Sequence, residues 1–252
     1  MSTRDLLDRL RSKVNRLVDL DLVRSSGQHT LRTHTMRILV EYAIDTVIDV
    51  GANEGGYGDH LRALGFSGEI YSFEPVHEAF EKLATRAARD GKWTAFNLAL
   101  GAQKGKATIN VSRFSQLSSI LPASAYGEKG WANMKVERQQ EIEISTLDEC
   151  VSEGLVPTQR RCLLKMDTQG FDLEVFKGAE ATLPEVCCML SELSLIPLYE
   201  GAPHYLDALA RYEQKGFSVS GFYPITRNRD LALNEVDCMM VNMKKRLASS
   251  TK

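Results

Sequence analysis

The chain has 252 residues, of which 43% are hydrophobic and 25% charged, and its formal net charge is −2. That composition fits one large α/β domain and argues against a disordered or fibrous chain; the charge balance gives no basic footprint for nucleic acid, so no nucleic-acid partner is expected. No apolar run approaches the ~18 residues of a bilayer span, and no apolar core follows the polar start Met1–Asp5, so a cytoplasmic protein without a membrane span is expected. The five cysteines (Cys150, Cys162, Cys187, Cys188 and Cys238) include no C-x-x-C pair. That argues against structural zinc and for buried, reduced thiols.

Residues 3–24 carry Leu6, Leu10, Val14 and Leu17 on one helical face. An N-terminal helical extension over 1–28 is expected. It packs on the main domain, covers the substrate site, or joins a second copy in a homodimer. The main domain is expected over 29–245, and a frayed tail over 246–252. A helix from about Leu31 to Tyr42 leads into the first strand, Thr46-Val47-Ile48-Asp49-Val50, which is rich in β-branched residues.

Gly51, Gly55 and Gly56 follow at once, so the strand runs into a glycine turn and then a helix ending at Gly65. A strand-to-helix turn of this kind binds nucleotides at the carboxyl edge of a parallel sheet. In the dinucleotide fingerprint a second glycine lets a pyrophosphate approach the backbone. Asn53 occupies that position here. A ligand without a pyrophosphate fits better, and S-adenosylmethionine is such a ligand.

The next strand, Glu69–Phe73, ends at Glu74-Pro75, with Glu74 21 residues past Asn53. A carboxylate at that distance reaches the two ribose hydroxyls of a nucleoside. A helix over 76–90 and a third strand over 93–101 continue the β-α-β-α-β alternation of a doubly wound parallel sheet. Asn97 and Leu98 fall beside the adenine in that arrangement.

Residues 102–150 break the rhythm. Ala107–Val111 and Glu141–Ile144 alternate as half-exposed strands around a loop containing Ser118-Ser119, which faces the site or forms a turn. Cys162–Met166 then repeats the first pattern with Asp167 at its tip, and Val186–Leu193 carries Glu192 at its tip. A helix over 205–215 and strands over 217–222 and 237–242 follow. Their connection, 223–236, is too short for a helical crossover, so these strands are expected to be antiparallel.

Ile48-Asp49-Val50-Gly51-Ala52-Asn53-Glu54-Gly55, Phe73-Glu74-Pro75, Asn97–Gly101, Ser118–Leu121, Ser145–Asp148 and Lys165-Met166-Asp167-Thr168-Gln169-Gly170 together resemble the FkbM-type methyltransferases, in order, over about residues 44–242. The resemblance implies a Rossmann-like class I methyltransferase fold: a mostly parallel seven-stranded sheet with a terminal antiparallel hairpin and an inserted β segment. It also implies S-adenosyl-L-methionine as donor and a hydroxyl acceptor on a small molecule or glycan. The donor set is then Asp49, Gly51, Ala52, Asn53, Glu54, Gly55 and Tyr57 from the turn. Glu74, Pro75, Asn97, Leu98 and Asp167 complete it. Family members commonly carry an acid where Gln169 stands and a small residue where Phe171 stands, so the acceptor pocket is expected to differ.

A sugar hydroxyl is a poor nucleophile, and a general base contributes about 10²–10⁴-fold. Asp167 is the first candidate for that base, Glu192 the second and His204 the third. No tight ligand spacing for a metal is present, so metal independence is expected. The rival readings are a Rossmann-type oxidoreductase and a non-catalytic donor-binding module.

Overall fold

A computed structural model describes residues 30–131, 134–157 and 161–245. The expected helix over 3–24, the extension over 1–28 and the tail over 246–252 lie outside the described residues. The chain clusters into a unit Met1–Met36 and a unit Arg37–Lys252. Both sheets lie in the second.

The first strand, β1 (Thr46–Val50), is buried at every position. It pairs in parallel with β2 (Glu69–Phe73) on one side and β7 (Cys162–Met166) on the other. A central strand covered on both faces needs mostly apolar residues, and β1 supplies them except at Thr46 and Asp49. Beyond β2 lies β3 (Trp93–Phe96). Beyond β7 lie β8 (Val186–Ser194), β10 (Leu233–Asn242) and β9 (Phe217–Arg227), giving the order β3-β2-β1-β7-β8-β10-β9. β10 runs antiparallel to both β8 and β9. This is the expected mostly parallel seven-stranded sheet with a terminal hairpin. The strand order reverses between β1 and β7, and in open α/β sheets the ligand crevice opens at the carboxyl ends of the strands there.

Two expected elements differ in detail. The third strand divides: β3 ends at Phe96, and β4 (Ala99–Leu100) joins a second sheet of order β4-β6-β5, with β5 (Gly105–Ser112) and β6 (Val136–Ser145). The break sits at Asn97, whose side-chain amide donates to Glu74 O at 2.9 Å and Pro75 O at 3.1 Å and so diverts the chain. The terminal hairpin is also longer than the sequence suggests, with a connection of only 228–232. Its edge strand exposes polar residues and Pro224, and register shifts near Glu235 interrupt the period-two pattern that marks a strand.

The helices follow their turns: α1 (Leu31–Glu41), α2 (Gly56–Ala63), α3 (His77–Ala87), α4 (Ala125–Gly130), α5 (Leu147–Ser152), α6 (Asp172–Lys177) and α7 (Tyr205–Gln214). α4 was not visible in the sequence: it is one short turn holding two glycines, with Ser124 accepting the Gly127 amide as its cap. The main core gathers Ile48, Phe73, Leu164, Met189, Phe217 and their neighbours. Phe176 meets Tyr212 edge-on at 4.6 Å, and Phe73 stacks on Phe96 at 4.8 Å. All five cysteines are buried and free.

The second sheet meets α6 at a point with no spare room. A Cβ on Gly178 would lie 1.9 Å from Gly101 O. Gly178→Ala is therefore expected to cost about 1–3 kcal/mol, as overpacking does, read as a lower denaturation midpoint. Gly91→Ala, where a Cβ meets nothing, is the control and stays within about 0.5 kcal/mol.

Candidate active site

The turn after β1 is held in an unusual backbone path. Gly51, Asn53 and Gly55 all have positive φ (74°, 47° and 90°). Gly51 permits it without strain, and a Cβ there would also lie 1.9 Å from Asp167 O, so β1 and β7 touch backbone to backbone at the crevice. Asn is the side-chain-bearing residue most tolerant of this region.

Beneath the turn lies a buried ion pair. Lys165 stands across from Asp49 in the β1–β7 register, with Nζ 3.0 Å from Asp49 Oδ1. Nζ also donates to Gly51 O at 3.1 Å and lies 3.4 Å from Asp167 Oδ2. Burial opposes the charge on Lys165, but the Asp49 and Asp167 carboxylates more than offset it and raise its pKa. Ser72 donates to Asp49 Oδ2 at 3.2 Å and Trp93 Nε1 donates to Ser72 at 3.0 Å, so the pair and its supports span four strands. Asp49 is fully buried and supports the turn from below.

Glu74 closes the turn from the β2 side. One carboxylate oxygen accepts the Asn53 amide and the other the Val76 amide, each at 2.8 Å. Burial pushes its carboxyl up to about 7, against the lowering effect of those two amides. A ribose would donate to the ionised form, so donor binding must release any proton held there. The affinity for S-adenosylhomocysteine is therefore expected to fall as pH drops through 7, approaching tenfold per unit below it. Glu74→Gln should weaken binding and flatten this dependence; calorimetry between pH 5.5 and 8 measures both.

The other donor-side residues fall as follows. Ala52 is buried. Glu54 turns to Lys82 of α3 at 2.6 Å. Asn97 and Pro75 shape the loop beside Glu74, and Leu98 packs on the core. The Tyr57 ring lies under Lys165 Nζ at 5.4 Å. Asn53 Nδ2 and Tyr57 Oη are buried without a protein partner. Unpaired buried donors at a nucleotide turn fit a ligand that brings acceptors, as the carboxylate and ribose of S-adenosylmethionine do.

On the other side of the crevice, Asp167 at the tip of β7 is joined to Glu192 at the tip of β8 by one amide. Gln169 Nε2 donates to Asp167 Oδ1 at 3.0 Å and to Glu192 Oε2 at 3.4 Å. Gln169 has a positive φ of 54° and is held from the insertion side. Tyr199 donates to its Oε1 at 2.9 Å and Ser119 to its backbone carbonyl at 2.8 Å. Asp172 locks the two tips together. It accepts from Thr168 N at 2.8 Å and Thr168 Oγ1 at 2.6 Å, and from Ser191 Oγ at 2.8 Å and Glu192 N at 3.1 Å. Burial, then the Asp167 and Glu235 carboxylates, hold Glu192's carboxyl well above the usual range.

The structure thus brings Asp167 and Glu192 together beside the donor turn. His204 is exposed and caps α7, its Nδ1 accepting from Leu206 N at 3.4 Å, with its ring against Tyr205. Of the two serines singled out in the insertion, Ser119 reaches Gln169, while Ser118 accepts from Ser112 N. A third serine, Ser115, reaches the turn itself and donates to Asn53 Oδ1 at 3.0 Å. Sequence reasoning missed Ser115, Lys165, Tyr199, Glu235 and Asp237. A charge inside the apolar run of β7 was the one available signal, for Lys165.

Known proteins of similar sequence are methyltransferases. The sequence model of the Methyltransferase FkbM domain matches residues 49–219. The hexuronic acid methyltransferase AglP of Haloferax volcanii is 28% identical over 160 residues, covering 63% of this chain and 60% of that protein's length. The 2-O-methyltransferase NoeI of Sinorhizobium fredii is 24% identical over 182 residues, covering 68% of this chain and 73% of that protein. Among solved structures, M. capricolum TrmK aligns with a TM-score of 0.47 at 6% identity, covering 87% of this chain and 71% of that one. No helix among the described residues is long and apolar enough to cross a membrane. With its matched segment running from Asp49 in β1 to Val219 in β9, the chain belongs to the FkbM methyltransferase family, and its methyl donor is S-adenosylmethionine.

Proposed function

We propose that the protein is an O-methyltransferase acting on a sugar hydroxyl, with Asp167 as the proton acceptor. The observation that carries this reading is the continuous link from the donor turn to a carboxylate pair: Gly51 O to Lys165, Lys165 to Asp167, and Asp167 through Gln169 to Glu192. It places carboxylates at the switch point, where a hydroxyl facing the donor would sit. The names of the two curated relatives, a hexuronic acid methyltransferase and a 2-O-methyltransferase, support a sugar acceptor.

Bound S-adenosylmethionine supplies a methyl group already activated on a sulfonium. The protein's share is to position the acceptor and remove its proton. The Glu74 carboxylate and the Asn53 and Tyr57 donors hold the donor. Asp167 is the more exposed carboxylate of the pair, its side chain 40% accessible, so it is the one able to touch an acceptor. It takes the hydroxyl proton on Oδ2. Lys165 orients that carboxylate, and the Gln169 amide fixes its other oxygen. Glu192, half-buried, faces the sugar ring and keeps the pocket's shape through Gln169.

The experiment is transfer of labelled methyl to pools of free sugars, nucleotide sugars and glycans, with the products separated by polarity. Label in a sugar fraction, lost on Asp167→Asn, supports the reading. Label in no sugar fraction, or label that persists undiminished in Asp167→Asn, sinks it.

A further inference from the structure

Four carboxyl groups meet at the acceptor side of the crevice. Asp167 and Glu192 are joined through Gln169. Asp237 on β10 stands across from Glu192 on β8, and Glu235 shares a hydrogen bond with Glu192. Burial raises the pKa of Glu192, Glu235 and Asp237, and the Asp167 charge adds to each; Asp237 is pushed up to about 7. The cation that meets this group is Lys165. It is 6% exposed and divided between Asp49 and Asp167, with Gly51 O as a third partner. One cation is thus shared between two carboxylates, and above pH 7, where Asp237 is ionised as well, the cluster presents acceptors and net negative charge to whatever enters.

We propose that this cluster selects a neutral or amino-bearing sugar as acceptor and excludes sugars that carry a carboxylate, phosphate or sulfate beside the reacting hydroxyl. The inference rests on the sugar O-methyltransferase reading and narrows it. Hydroxyl and ammonium groups donate to carboxylates. An anionic substituent only accepts and is repelled. At ~6 Å from one ionised carboxylate, with an effective dielectric constant near 20, the discrimination is about 100-fold.

The test begins with calorimetric titration of the protein with S-adenosylhomocysteine; absence of binding removes the methyltransferase reading and this inference with it. The loaded protein is then titrated with D-glucosamine, D-glucose and D-glucuronate and followed by saturation-transfer NMR. Glucosamine and glucose are expected to bind, and glucuronate at least ~100-fold more weakly. Asp237→Asn should narrow that gap. Glucuronate binding as tight as glucosamine overturns the inference, as does failure of both glucosamine and glucose to bind up to their solubility limits. An unchanged gap in Asp237→Asn, in protein that still takes up S-adenosylhomocysteine, overturns the assignment to this cluster.

Discussion

Asp167→Asn is expected to lower the single-turnover methyl-transfer rate about 10²–10⁴-fold, the usual contribution of a positioned base, while S-adenosylhomocysteine still binds. The substitution is nearly isosteric. It keeps an oxygen to accept from Gln169 Nε2, which now donates to Asp167 Oδ1 at 3.0 Å. It removes the charge that Lys165 orients at 3.4 Å and the ability to take a proton. A structural role alone would predict the opposite split, with donor binding or stability changed and the chemical step spared. Rapid-quench measurement with labelled donor separates the two.

The second large effect concerns stability. Lys165→Met leaves Asp49 fully buried with only Ser72 donating to it. Breaking a buried pair by removing one partner costs about 3–5 kcal/mol, because the remaining charge is uncompensated. Urea denaturation should show that loss. Replacing both partners (Asp49→Asn with Lys165→Met) should recover much of it, since no buried charge then remains, although donor binding would still suffer from the lost contact to Gly51 O. A single variant as stable as the parent would show that the pair is not the support of the turn.

The parts of the site that were legible in the sequence are those whose geometry is local. Thr46–Gly55 spells a buried strand and a turn with positive φ, and Glu74 follows at the spacing of the neighbouring strand's tip. Its carboxylate does meet the Asn53 amide, though both of its oxygens also serve the backbone. Asp167 and Glu192 were visible as acids ending apolar runs. Their joining by Gln169 was not, because it depends on a positive φ at Gln169 and on Tyr199 reaching back from beyond β8. Glu235 and Asp237 were hidden for a related reason. They enter the site only through the antiparallel register of β10 on β8, and the bulges near Glu235 erase the alternation that would have revealed it. Ser115 was passed over for Ser118 and Ser119, since nothing in a loop sequence says which serine meets a turn 62 residues away. The division of the third strand at Asn97 likewise turns on a side-chain contact to Glu74 O that sequence pattern does not encode.

The central claim, methyl transfer from S-adenosylmethionine to a sugar hydroxyl at the β1–β7 switch point, is most directly tested by carbon NMR of the product formed from ¹³C-methyl donor and a responsive acceptor. A methyl-ether signal coupled to a sugar ring carbon, absent with Asp167→Asn, is the expected result. A methyl signal on nitrogen, carbon or sulfur, or an ether formed equally well by Asp167→Asn, would contradict it.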